Sequence, residues 1–385
     1  MTTPDWKALR AEFPTLQKWT YLDVARKTIP PRCTEWAMQE YCRDVYENAG
    51  ADAWSAANVA DTRATLAKLL GARAPEIAFT KNTTDGLNIV SHGLELSPGD
   101  NIVLTNMEHV ANIWVWKHWE AKGVEIRYAE HRNGRLTLDA FLEKMDARTR
   151  VVSCAYVTYG NGYRANLPEL GRACRERNIR LIVDGVQAAG ILAAPLDSLG
   201  ADAVAIAAHK GLFGLAGSGL LYCREDFMRG LKTPFVKAPS TEVMRDKATS
   251  QFDYMSVAHR FEVGNPSFLG LRVLRRGAEF LQSIGLQHIE DRVREVTTTF
   301  MGMARKAGFK TLTPEPWEER AQIVNLLLPN AAALMQRLRE RHHVVLNVKD
   351  GALRVSMSFF NDEEDLEKAL HAIKRELAGK VAAAA

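Results

Sequence analysis

Short apolar runs alternate with longer stretches in which apolar residues recur every three or four positions. EIAFT (76–80), NIVLT (101–105), VVSCAYV (151–157), IRLIVD (179–184), ADAVAIAAH (201–209) and SGLLYC (218–223) are the short runs. They carry too few polar positions for a strand with one wet face, so they predict strands buried on both sides. VEIRYAE (124–130) is a further strand candidate. Helical spacing fills the gaps: residues 32–48, AANVADTRATLAKLLG (56–71), TTDGLNIVSHGL (83–94), LDAFLEKM (138–145) and LPELGRACRERN (167–178). Strands and helices in alternation predict an α/β fold with a mostly parallel sheet covered on both faces. Right-handed crossovers then bring the strand C-terminal ends, and the loops leaving them, to one edge, where a ligand binds.

The pattern changes after Pro234. Residues 238–260 are polar and are expected to be irregular. LGLRVLRRGAEFLQSIG (269–285) and IEDRVREVTTTFMGMARKAG (289–308) predict long helices. QIVNLLLP (322–329) and ALRVSMS (352–358) predict strands, and residues 331–342 and 363–377 predict helices. The expected organisation is a large domain over 26–260 and a small α+β domain over 261–380. Residues 1–25 are expected to pack with the small domain or to bridge the two, and the closing VAAAA to fray.

Composition narrows the function. The chain has 385 residues, 50 Lys plus Arg against 46 Asp plus Glu, and a formal charge of +4. That excess argues for neither nucleic acid nor an anionic membrane as partner. Five cysteines (Cys33, Cys42, Cys154, Cys174, Cys223) are scattered without a C-x-x-C pair, so neither a zinc cluster nor a dithiol motif is expected. The odd count suits a reducing cytoplasm. The N-terminus lacks the apolar core of a signal peptide, and no apolar run of 18 residues predicts a membrane span.

Two strand ends carry the most specific chemistry. IRLIVD ends in Asp184, and AVAIAAH is followed by Lys210. An acid and a lysine at the C-terminal ends of neighbouring strands face one pocket. Such a pair suits pyridoxal phosphate: the lysine forms a Schiff base and moves a Cα proton, and the aspartate keeps the pyridine nitrogen protonated. A strand-end salt bridge and a surface lysine are the plainer alternative.

Seven segments then resemble, in order, those of the class V aminotransferase family. They are YLDVARKTIPP (21–31), FTKNTTDGLN (79–88), MEHVAN (107–112), VDGVQAAG (183–190), AHKGLFGLAGSGLLY (208–222), FEVGNPS (261–267) and LRVSMSFFNDEEDL (353–366). The resemblance implies the aspartate-aminotransferase type of fold (fold type I) and pyridoxal 5'-phosphate as cofactor. It implies Lys210 as the Schiff-base lysine, Asp184 at the ring nitrogen, Gln187 near the ring hydroxyl and His109 stacked on the ring. Thr83, Thr84 and His209 would hold the phosphate. Arg354 would clamp a substrate carboxylate, unless it is a surface arginine on an edge strand. Asn265 falls where dimers of this family reach across to the neighbour's phosphate, which implies a homodimer with shared sites.

The sequence departs from the family at several points. Val344 and Val345 stand where the mobile thiol of a cysteine desulfurase is needed, so a persulfide mechanism lacks its nucleophile. Ala207 replaces a phosphate-binding serine, and Tyr159, close to Asn161, stands where the family has an asparagine near the ring hydroxyl. Val24, Ala25, Arg26 and Lys27 replace the opening asparagine segment. Arg26 offers a contact for a second anionic group of a dicarboxylate or sulfonate, although a structural ion pair is the favoured reading.

Other features point away from chemistry. His342 and His343, read as strand neighbours, face opposite ways, and Glu108 with His109 lacks a third metal ligand. Trp114, Trp116 and Trp119 are expected in core or dimer packing. Arg272, Arg275 and Arg276 share one helix side, as a solvated face or dimer contact does. GLFGLAGSG lacks the ending of a nucleotide P-loop.

The expected function is that of an enzyme acting on an α-amino acid or related amine through an external aldimine and a quinonoid. Transamination ranks first, C–S or related β-elimination on a cysteine derivative second, and epimerisation third. A catalytically silent member of the fold is the non-enzymatic alternative, against which intact Asp184, His209 and Lys210 argue.

Overall fold

The computed structural model describes residues 3–235, 241–246 and 251–381. A seven-stranded sheet forms its centre. In chain order its strands are β2 (Ile77–Thr80), β3 (Asn101–Thr105), β4 (Glu125–Ala129), β5 (Thr149–Ala155), β6 (Arg180–Asp184), β7 (Ala203–Ala207) and β8 (Gly219–Cys223). A two-residue β1 (Thr20–Tyr21) precedes them. The spatial order is β2-β8-β7-β6-β5-β3-β4, and only β8 runs antiparallel to its neighbours. Every residue of β2, β3, β6's last four positions, β7 and β8 is buried. That is the outcome that near-continuous apolar runs dictate for a doubly covered sheet.

The covering helices are α2 (Arg32–Asn48), α3 (Ala56–Leu70), α4 (Thr83–Gly93), α5 (Val110–Lys117), α6 (Leu138–Leu142) and α7 (Leu167–Glu176), after a short α1 (Trp6–Ala11). Their starts follow capping rules: Ser55, Asn82, His109, Thr137 and Asn166 each accept a first-turn N–H. α4 lies close on the sheet because Gly86 has no side chain, and a Cβ there would meet Ala205 Cβ at 3.0 Å.

A short α8 (Glu225–Arg229) leads to β9 (Thr241–Asp246) and β10 (Gln251–Tyr254), which pair antiparallel. This corrects the expectation of irregular chain over 238–260. A two-stranded ribbon is held by the backbone bonds along its inner edges, which carry no apolar signature in the sequence. Residues 238–240 and 247–250 lie outside the described residues, as do 382–385 of the closing VAAAA.

α9 (Phe268–Ile284) and α10 (Leu286–Lys306) follow. Leu271, Leu274 and Leu281 of α9 belong to the large-sheet core. The same helix carries Arg272, Arg275 and Arg276, which pair with Asp52, Asp61 and Glu40. They bind α9 to its neighbours rather than forming a free solvated face. A second sheet has the order β11-β14-β13, from β11 (Ile323–Leu326), β13 (Asn347–Lys349) and β14 (Ala352–Ser356). α10, α11 (Ala331–His342) and α12 (Glu363–Val381) complete its apolar cluster. His342 ends α11 and meets Glu376, so the adjacent histidines are a helix end rather than strand neighbours.

The N-terminal segment joins both parts. β1 pairs with β12 (Val344–Val345), Arg10 binds Asp362 and Asp365, and Phe13 lies in the large-sheet core. Trp116 and Trp119 are buried, with their indole N–H groups donating to Asn112 and Ser91, while Trp114 is 68% exposed.

Candidate active site

Five strand ends converge on one cavity of about 240 Å³. β2 leads to Asn82, Thr83 and Thr84, β3 to His109, β5 to Val157 and Tyr159, β6 to Asp184 and Gln187, and β7 to Ala207, His209 and Lys210. The C-terminal edge of a parallel sheet is thus the floor of the site. Two loops on this edge touch directly. Gly190, at φ +77°, and Gly211 sit back to back, and a Cβ on either would run into the other loop's backbone. Their contact sets the Lys210 loop against the loop of Asp184 and Gln187.

Asp184 is fully buried and accepts one N–H, from Val186 at 3.0 Å. Burial raises its pKa, with the Val186 N–H and the Lys210 charge opposing. Lys210 makes no side-chain hydrogen bond or ion pair with any described residue, and burial lowers its pKa to about 8. A buried carboxylate and an amine whose charged form is penalised therefore face the same space. The plainer reading, a strand-end ion pair with a surface lysine, does not hold.

At the head of α4, Asn82 caps the helix by accepting from Asp85 N at 3.0 Å. The cap is thus Asn82, and Thr83 and Thr84 occupy the first helical turn. The Thr83 hydroxyl is buried without a hydrogen-bond partner, although it lines the cavity. A buried hydroxyl left unpaired costs on the order of 1–3 kcal/mol, so an acceptor reaching it from the cavity would relieve that cost. The helix N-terminus adds N–H groups and positive potential for an anion.

His109 caps α5 with Nδ1 accepting from Ala111 N at 3.2 Å, which leaves the proton of the neutral ring on Nε2. Burial and then Lys210 lower its pKa, so the ring is neutral at physiological pH. Its ring meets the Tyr159 ring edge-on at 5.3 Å. Behind it, Glu108 accepts from Thr105 Oγ1, Asn112 Nδ2 and Ala155 N at 2.7, 2.8 and 2.9 Å. Full burial still pushes its carboxyl up to about 7. Glu108 thus braces the β3 and β5 ends rather than awaiting a metal. Among the described residues no group of three metal-ligating side chains occurs.

The cavity's rim comes from the second sheet and the N-terminal segment. Arg354 lies on β14, the central strand, and is 1% exposed, so it is not a surface arginine on an edge strand. It donates to Tyr159 O at 2.9 Å and pairs with Asp23 at 3.2 Å, while its Nε has no partner. Asp23 also accepts from Asn347 Nδ2. Gln187 Nε2 donates to Ala25 O at 2.9 Å, tying floor to rim. Lys349 and Arg26 complete the lining.

Some expectations require correction. Arg26 makes no ion pair with any described residue, against the structural pairing favoured from sequence. It follows a tight turn in which Arg26 N bonds Asp23 O, and its exposed side chain is left to the cavity. Asn161 lies outside the cavity, where its side chain locks the loop to Gly134 O and Leu312 O. Asn265 is exposed and lines an adjoining cleft with Asn82 rather than the cavity itself. Sequence reasoning does not single out Asp23 or Lys349 as site residues. Asp23 lies within the opening segment that resembles the family, and nothing in the local pattern marks Lys349.

The family profile described as aminotransferase class-V matches residues 20–369. The chain belongs to the class V aminotransferase family. Its fold is that of the pyridoxal-phosphate enzymes of this family, and the family's cofactor is pyridoxal phosphate. A probable cysteine desulfurase of Methanothermobacter thermautotrophicus is 26% identical, over 93% of this chain and 95% of that protein. An uncharacterized aminotransferase of Schizosaccharomyces pombe is 28% identical, over 83% of this chain and 82% of its own length. The apo structure of a cysteine desulfurase from Thermococcus onnurineus superposes with a TM-score of 0.88 at 25% identity, covering 98% of this chain and 99% of that one.

Proposed function

We propose that this protein is a pyridoxal phosphate-dependent aminotransferase of α-amino acids, anchored through Lys210. The observation that carries the reading is the cavity floor. It sets a buried amine without a partner, a buried carboxylate with one donor, and an unpartnered hydroxyl at a helix head around one space. These are the three polar demands of the cofactor: a covalent anchor, a ring-nitrogen partner and a phosphate cradle. The residues present therefore fit it.

Bound there, pyridoxal phosphate supplies a sink for the electrons of the Cα–H bond. Asp184, made more basic by burial, holds a proton at the ring nitrogen. Lys210, at about 8, is neutral often enough near physiological pH to accept the Cα proton. Thr83, Thr84 and His209 would hold the phosphate, with the Thr83 hydroxyl offsetting the one missing at Ala207. His109 and Gln187 would help hold the cofactor's ring, His109 as a neutral imidazole. Arg354 receives the substrate carboxylate by exchanging its bonds to Tyr159 O and Asp23. Asn265, outside the cavity of its own chain, serves the phosphate of a second copy in a homodimer.

The cavity lining holds no cysteine. Cys154 is buried one residue before Ala155, and burial raises its thiol far above the usual range. A sulfur-carrying nucleophile is therefore missing from the cavity lining, which argues against transfer of sulfur to a thiol of the enzyme. Transamination asks for one mobile proton carrier at the substrate, and Lys210 is that group. Five unpaired cysteines suit a cytoplasmic enzyme.

The test is a single turnover of the cofactor-loaded protein with a panel of amino acids and no keto-acid acceptor. One equivalent of keto acid, with conversion of the cofactor to its amine form, is the expected result. Pyruvate and ammonia accumulating over many turnovers from a cysteine derivative would replace this reading with the β-lyase.

A further inference from the structure

The rim of the cavity carries more positive charge than one substrate carboxylate requires. Arg354 is already matched in part by Asp23, and both side chains are 2% exposed. Arg26 and Lys349 line the same cavity, and neither makes an ion pair with any described residue. Both also line a second, larger cleft of about 880 Å³, which is walled by α11 and by the β12–β13 stretch. Arg339 lies along that cleft and likewise has no carboxylate partner among the described residues; its guanidinium rests on the Trp19 ring. The nearby acids are engaged. Asp23 is held by Arg354 and Asn347, and Asp350 accepts from the Tyr159 hydroxyl at 3.1 Å.

We infer that Arg26 and Lys349 form a second anion subsite, and that the substrate is an amino acid whose side chain ends in a carboxylate or sulfonate. The inference rests on the aminotransferase reading for the orientation of the substrate, with its α-carboxylate on Arg354. From there the side chain runs outward past Arg26 and Lys349, the two cations shared by cavity and cleft. Two charges leaving water for a cleft of this kind attract each other more strongly than on an open surface. A neutral side chain of equal length leaves both cations without a partner, and that difference gives selectivity. Arg339, farther out, draws anions toward the mouth.

The subsite can be read without turnover. Succinate, glutarate and adipate lack an amino group, and each is compared with the monocarboxylate of equal carbon number by calorimetric titration of the cofactor-loaded enzyme. At least one dicarboxylate is expected to bind about tenfold or more tightly, which is about 1.4 kcal/mol. That preference should weaken with added salt. In the Arg26→Ala/Lys349→Ala variant the ratio should fall to near one. If the double variant fails to fold, the single Arg26→Gln and Lys349→Gln variants and the salt dependence decide. Equal binding of di- and monocarboxylates, or a preference that survives loss of both cations, overturns the subsite. Failure of the aminotransferase reading looks different: no amino acid converts the cofactor, while the dicarboxylate preference stands.

Discussion

The floor and the rim of the cavity are built on opposite plans. On the floor, Asp184, Lys210 and the Thr83 hydroxyl are buried with few protein partners or none. On the rim, Arg354 is buried too, but it spends donors of both terminal nitrogens on Asp23 and Tyr159 O. A polar group that folding leaves unsatisfied is a cost to the free protein and a gain on binding. A polar group satisfied internally holds the structure and must exchange partners to bind. In the proposed reading the floor is a cofactor cradle, and the rim a set of paired charges that would also meet substrate.

Removing Lys210 should break the floor most completely. Lys210→Ala is expected to lower turnover by about 10³-fold or more, since it removes the anchor and a proton carrier of the kind that contributes ~10²–10⁴-fold. The absorption band of lysine-bound cofactor should vanish with it. The same amine sets a pH signature. Burial penalises its charged form, so the neutral, reactive form gains as pH rises through about 8. The rate of cofactor uptake by the cofactor-free protein, followed by absorbance, should rise over that range and level off above it. A rise delayed to the usual lysine range would mean that the amine is not buried.

Asp184→Asn keeps the shape and removes the charge. Turnover should fall by about 10–100-fold, on the scale of a charge-assisted hydrogen bond of about 1.5–3 kcal/mol. Cofactor absorbance should shift toward the unprotonated ring.

On the rim, Arg354→Ala should do two things at once. KM for carboxylate substrates should rise by about tenfold or more. The fold should also lose about 3–5 kcal/mol, because Asp23 is left buried and unpaired. Denaturation should show that loss, and adding Asp23→Asn should recover most of it without recovering KM. If Arg354→Ala leaves stability unchanged, floor and rim do not differ as described.

Thr83→Ala is the mildest test. It should weaken cofactor affinity by a few-fold, about 0.5–1.5 kcal/mol, measured by cofactor titration. It should not destabilise the cofactor-free protein, whose hydroxyl there has no partner to lose.

The same contrast governs what is legible in the sequence. The floor residues sit at ends of apolar strand runs, so the local pattern alone sets Asp184, His209 and Lys210 on one edge. The rim depends on pairings between residues far apart in the chain: Asp23 with Arg354, and Tyr159 with Asp350. No periodicity reports such contacts. That is why the sequence leaves Arg354 open to a surface position, whereas the fold makes it central and buried. It is also why the sequence favours an ion pair for Arg26 that none of the described residues provides. The ribbon of β9 and β10 escapes the pattern for a related reason, since backbone pairing between its two strands leaves no apolar signature.

The central claim is that the floor holds its cofactor through Lys210. Borohydride reduction of the loaded protein fixes the cofactor wherever it is covalently attached, and peptide mass analysis then locates it. The account predicts the added mass on the peptide carrying Lys210 and on no other. Attachment at Lys349, Lys27 or Lys81, with Lys210 unmodified, would contradict it.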